Sequence, residues 1–151
     1  MVGALTDRFD LNANSLVLEI ASNDGYLLQY FKQKGVPVLG VEPARNIAAE
    51  AQKRGIPTLN RFFSLESAKD ILVRHGASDV IIGNNVLAHV PDINDFLSGV
   101  RDCLKPTGVA VFEFPYLGDF LENIEFDTIY HEHVFYYSLT AIGILARRAG
   151  L

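Results

Sequence analysis

A chain of 151 residues, 49% hydrophobic and with a net charge of −5, has room for one domain with a buried core and not for two. No apolar run approaches the roughly 18 residues of a membrane span, and the N-terminus lacks a basic start followed by an apolar stretch. Arg and Lys are scattered without a basic stripe, which argues against nucleic acid as a partner, and the single cysteine, Cys103, excludes a disulfide framework or a cysteine zinc cluster and suits a reducing cytoplasm.

Residues 1–15 are mixed and polar, with a short helical turn expected over 5–9. The stretch around which the chain is organised follows: Leu16-Val17-Leu18-Glu19-Ile20, then Ala21-Ser22-Asn23-Asp24-Gly25. The apolar run is that of a parallel strand covered on both faces. Ala21, Ser22 and Gly25 keep the turn thin, and Asn23 and Asp24 are residues that start helices. Leu27, Leu28 and Phe31 then share one face of a helix over 26–34, stopped by Gly35 with Pro37 beyond.

A second strand, residues 38–41, ends in Glu42 and Pro43, and a second helix is expected over 44–54 with Ile47, Ala48 and Ala51 inward. Thr58-Leu59 is a short third strand, with Phe62 just past its end. Ser64 caps a helix over 64–75 that presents Leu65, Ala68, Ile71 and Leu72 to the core. Residues 79–84 form the fourth strand, 85–91 a loop, 93–104 a helix, 106–108 a turn and 109–114 the fifth strand. Residues 115–138 are a long aromatic and acidic segment. A last helix runs over 139–149, with Ile142, Leu145 and Ala146 apolar and Gly150 as terminator.

Strands alternating with helices predict an α/β doubly wound, three-layer Rossmann-like fold, its mainly parallel sheet in the order 3-2-1-4-5. Ligands of such sheets lie at the carboxyl ends of the strands. Residues 19–25, Glu42, Phe62, residues 84–89 and residues 113–116 all fall there. The fifth strand has no outer partner unless residues 134–137 supply one, and an uncovered edge invites pairing with a second copy. The chain is therefore expected to be a single domain, 1–151, from a longer protein with further C-terminal strands.

The turn after the first strand lacks the glycines of a dinucleotide fingerprint, offering Ala21 and Asn23 instead. Glu19 and Asp24 place acids where phosphates would lie. An ammonium and a sulfonium would be welcome there, which describes S-adenosylmethionine. Glu42, twenty-three residues after Glu19, can accept ribose hydroxyls, and Phe62 stands where an adenine ring meets such a sheet. Ala21, Ser22, Asn23, Gly25, Pro43, Asn84 and Asn85 complete the expected cofactor lining. The plainer alternative is that Glu19 and Glu42 are ordinary strand-end acids of an unrelated α/β domain.

Tyr130-His131-Glu132-His133 is the densest polar cluster, with His89 in the loop after the fourth strand. His131 and His133 would share a face of an extended chain and could ligate a metal, but a third ligand at fixed spacing is lacking. A capping cluster beside an aromatic core is another reading. Catalysis is the third: histidine is a base near neutral pH, and tyrosine with a second histidine can hold an oxyanion.

The motifs Glu19-Ile20-Ala21-Ser22-Asn23-Asp24-Gly25, Gly40-Val41-Glu42-Pro43, Asn85-Val86-Leu87-Ala88-His89-Val90-Pro91-Asp92 and Tyr130-His131-Glu132-His133 stand in an order that resembles the S-adenosylmethionine-dependent C-methyltransferases of deoxysugar biosynthesis. Ala21 departs from the glycine more often seen there. The resemblance implies a class I methyltransferase fold and methylation of a carbon next to a ketone on a nucleotide-linked sugar. It implies His133 as the base, Tyr130 and His89 as groups that orient the substrate and stabilise an enolate, and Glu132 as a contact to the sugar. It also implies flanking domains that enclose the sugar, so this chain alone would turn over little substrate. A nucleotide-binding or regulatory domain without chemistry is the competing function. A nicotinamide-dependent oxidoreductase is disfavoured by the missing glycines.

Overall fold

The computed structural model describes residues 1–151. Five parallel strands form one sheet in the order β3-β2-β1-β4-β5, as the alternation of elements predicts. They are β1 (Val17–Ile20), β2 (Val38–Val41), β3 (Thr58–Leu59), β4 (Ser78–Asn84) and β5 (Leu104–Glu113). The helices are α1 (Val2–Arg8), α2 (Leu28–Gln33), α3 (Arg45–Lys53), α4 (Leu65–His75), α5 (Ile93–Cys103), α6 (Leu117–Asn123) and α7 (Leu139–Ala149). None is long and apolar enough to cross a membrane.

Successive residues of a strand face opposite sides of the sheet, so a continuous apolar run feeds two cores. Val17, Val38, Val80 and Ile82 pack with Leu28 and Phe31 of α2 and Ala51 of α3. Leu18, Ile20, Leu39, Val41 and Ile81 pack on the other face with α4 and α5, and Ile142 and Leu145 bring α7 against that core. Ser64 caps α4 by accepting the Ser67 N–H while the Ser67 hydroxyl accepts the Ser64 N–H, a reciprocal capping box. Asp92 caps α5 and Ser138 caps α7.

Several local expectations are corrected. The N-terminal helix occupies Val2–Arg8 and not 5–9. Asn23 and Asp24 do not cap α2, which starts later, after Leu27, with no side-chain cap. Leu72 lies on the exposed side of α4. The turn expected at 106–108 is instead an irregularity within the β4–β5 ladder, where the register passes from Ser78↔Leu104 to Val80↔Val109. Lys105 reaches back there to the Asp79 carboxylate at 2.8 and 2.9 Å, and Asp79 also accepts the Leu16 N–H. Residues 134–137 do not cover the outer edge of β5. Tyr137 makes an isolated bridge to Tyr116, and Val134 N–H donates to the Ala88 carbonyl, so the segment crosses the loop after β4.

Candidate active site

The turn after β1 is tight and strained. Ala21 (φ 56°) and Asn23 (φ 53°) are both left-handed, a conformation that costs an L-residue about 1–2 kcal/mol. A glycine at this position would adopt it freely. Gly25 is left-handed too (φ 78°), and a Cβ on it would sit 2.8 Å from Ile56 Cγ1, so both conformation and packing require glycine there. The strain is held by neighbours on adjacent strands. Glu42 accepts the Asn23 N–H through Oε2 at 3.1 Å and the Ala44 N–H through Oε1 at 2.8 Å. One carboxylate thus ties the β1–α2 turn to the β2–α3 turn. Each oxygen retains a lone pair.

Glu19 stands in register with Gly40 and Ile82 and is 1% exposed. Its Oε2 and the nearby Ser22 Oγ have no hydrogen-bond partner. Ser22 and Thr58 fill the space a side chain at Gly40 would need. Burial away from water pushes the Glu19 carboxyl up to about 8, so it is mostly neutral at pH 7. Asp24 is neutralised differently, by Arg54 at 2.7 Å. The expected acidic flank of the turn is therefore weaker than the sequence suggests, since one acid is protonated and the other paired.

A cavity of about 640 Å³ opens beside this turn, within the range of small-molecule sites. Ile20, Ala21, Pro43, Phe62, Asn85 and His89 contribute to it, with Asp92 and Asp95 at the α5 end. No Arg or Lys lines it, so a diphosphate would find acids and apolar groups but no cation. Phe62 is 80% exposed and offers a ring face at the rim. Asn85 is left-handed (φ 52°), and its side-chain amide donates to Glu113 Oε1 at 3.1 Å. Asn84 Oδ1 is buried without a partner. Glu42 itself is not part of the cavity wall; its neighbours Val41 and Pro43 are.

The Tyr130–His133 motif and His89 converge next to this cavity. The His89 and His133 ring centroids are 4.8 Å apart. His133 Nδ1 lies 3.0 Å from the Thr128 carbonyl, which can only accept, so Nδ1 carries the proton and Nε2 the lone pair. Tyr130 donates its hydroxyl to that Nε2 at 2.8 Å. His89 Nδ1 likewise faces a carbonyl, that of Glu132, at 2.9 Å, leaving its own Nε2 as an acceptor. Glu132 thus acts through its backbone; its carboxylate is exposed, as is the neighbouring His131. No group of three or more His, Cys, Asp or Glu converges as a metal cage.

The motifs found in the sequence meet around one cavity edge. Sequence reasoning passed over Asp92, Asp95 and Phe96 as cavity residues and Thr128 and Tyr136 as supports of His133. Asp92 and Asp95 carried a signal, the Asn/Asp-rich start of α5; Thr128 and Tyr136 carried none beyond aromatic density.

Comparison with known proteins assigns the class. Residues 2–151 match the methyltransferase domain family, and the chain belongs to it. It is an S-adenosylmethionine-dependent methyltransferase domain with the class I fold. Among individual relatives, it is 41% identical over 151 residues to C-methyltransferase NovU of Streptomyces niveus, covering all of this chain and 36% of that protein. It is 34% identical over 110 residues to the ubiquinone biosynthesis O-methyltransferase of Nitrobacter winogradskyi, covering 68% of this chain and 42% of that one. The chain thus spans well under half the length of these curated relatives. The fold is shared with a solved methyltransferase from Archaeoglobus fulgidus (TM-score 0.76, 17% identity, 99% of this chain and 67% of that one).

The residues present fit this cofactor. The cavity pairs an apolar wall and an exposed aromatic ring, Phe62, with the acids Asp92 and Asp95 and no Arg or Lys. That donor set suits an aromatic base and positive charge better than phosphate.

Proposed function

We propose that the full protein methylates a carbon next to a ketone on a nucleotide-linked deoxysugar in the cytoplasm. The observation that carries this reading is the placement of His133, its Nδ1 3.0 Å from the Thr128 carbonyl and its Nε2 2.8 Å from the Tyr130 hydroxyl. The 41% identity to a protein named C-methyltransferase supports transfer to carbon.

In this reading Ala21 to Gly25, Pro43, Phe62, Asn84 and Asn85 hold S-adenosylmethionine, with Glu42 accepting from its ribose through the lone pairs the backbone N–H groups leave free. When bound, the cofactor supplies an electrophilic methyl group. His133 Nε2 removes the proton from the carbon beside the ketone, and the electron pair moves into an enolate. Tyr130 is exposed on one side, its ring 4.1 Å from that of His133. Its hydroxyl leaves Nε2 as the substrate arrives and donates to the ketone oxygen, where negative charge develops. His89 orients the substrate from the other side, and Glu132 contacts the sugar. At the free edge of β5 the same reading allows pairing with a second copy.

The test is proton exchange. The full-length protein, incubated with a nucleotide-linked keto-deoxysugar in deuterium oxide, should wash deuterium into the position beside the ketone, and His133→Asn should abolish it. Exchange that survives in His133→Asn would remove His133 as the base. Cofactor binding without exchange or methyl transfer on any such sugar would favour the alternative, a cofactor-binding regulatory domain.

A further inference from the structure

One carbonyl oxygen, that of Thr128, receives two side chains. His133 Nδ1–H donates to it at 3.0 Å and the Tyr136 hydroxyl at 3.2 Å. The two donors use the oxygen's two lone pairs. Thr128 ends a short 3-10 turn, Phe126–Thr128, whose other bonds are local: Thr128 N–H and Oγ1 both donate to the Glu125 carbonyl, at 3.2 and 2.9 Å. The turn is otherwise exposed, with Phe126 and Ile129 in solvent. The side chains of His133 and Tyr136 are thus what tie it to the segment that follows. Tyr136 is itself braced, its ring 5.6 Å from that of Phe120 of α6 and edge-on to His133 at 6.1 Å.

We propose that Tyr136 is a positioning residue for His133: by clamping the Thr128 carbonyl, its hydroxyl holds the imidazole in the Nδ1–H form and keeps Nε2 open as an acceptor. The proposal rests on the reading of His133 as the base for its consequence in catalysis, but not for its geometry. Without the clamp the turn drifts from Nδ1, the Nε2–H form gains population, and an Nε2 that carries a proton cannot take one. The groups facing His133 are the Tyr130 hydroxyl at Nε2, the His89 ring, the Tyr136 ring and the Thr128 carbonyl.

Histidine-selective ¹⁵N spectra of the full-length protein read the tautomer directly, with His133→Asn identifying the resonance. The unmodified protein should show His133 protonated on Nδ1. Tyr136→Phe, which keeps the ring, should shift it toward a mixture of tautomers and reduce kcat about 10-fold at unchanged KM. An Nε2–H tautomer in the unmodified protein overturns the proposal without any variant. So does a Tyr136→Phe spectrum identical to the parent's, even if activity or melting temperature falls, because that outcome makes the hydroxyl merely structural. Should His133→Asn retain activity, the base assignment fails while the tautomer result still decides the clamp.

Discussion

The turn after β1 and the segment from 115 to 138 both shape the site, and they are built in opposite ways. The turn hangs on a strand buried on both faces, and the N–H of its left-handed Asn23 is held by the buried Glu42 carboxylate, which also holds the Ala44 N–H. The segment leaves Leu121, Ile124, Phe126 and Ile129 in solvent and holds its key histidine by side-chain bonds to a single exposed turn. Its Ile124 is left-handed at φ 54°, a strained state for a β-branched residue. On the proposed function, cofactor binding falls to the buried part and proton transfer to the exposed part. This suits a site in which one hydroxyl must release a base before donating to the substrate.

The sharpest way to break this division is at the base. His133→Asn in the full-length protein should lower kcat by about 10³-fold, in the range of general base catalysis, while leaving the affinity for S-adenosylhomocysteine intact. A loss of cofactor affinity would mean the two regions are one unit.

Next in size is the acid of the buried part. The unfolded chain ionises Glu19 near 4.5, whereas the folded chain keeps its proton up to about 8. Between those values folding takes up a proton, so stability falls as pH rises and levels off above the folded value. The 151-residue chain should lose on the order of a few kcal/mol between pH 5 and pH 8 that Glu19→Gln does not. Denaturation midpoints at the two pH values check this, and equal slopes would mean Glu19 is ionised in the fold.

Glu42→Ala removes the acceptor for two backbone N–H groups and should weaken S-adenosylhomocysteine binding at least 10-fold, about 1.4 kcal/mol. Calorimetry reads it, and unchanged affinity would reduce Glu42 to a strand-end acid. The smallest effect is expected at Ala21→Gly. Relief of the left-handed strain, partly offset by the entropy of glycine, should raise stability by less than about 1 kcal/mol, a melting-temperature gain of a few degrees at most.

The same contrast explains what could be read from the sequence. The buried strands announce themselves as apolar runs, so sheet order and the α7 bounds, 139–149 with Gly150 as the stop, follow from local pattern. What escaped depends on partners distant in the chain. The Asp24–Arg54 pair spans two elements and removes a charge that local reading had left free. Residues 134–137 carry strand-like composition, yet Val134 donates to Ala88 in the loop after β4 and never reaches the β5 edge. The Thr128 carbonyl is invisible in any sequence, since every residue has one.

A cavity walled by apolar groups and acids, and lacking any Arg or Lys, should take a cationic sulfur nucleoside and not a diphosphate. Titration calorimetry of one protein preparation with S-adenosylmethionine and with NADH tests it most directly. Saturable one-site binding of the first and none of the second is expected; saturable binding of NADH with no heat from S-adenosylmethionine would contradict this.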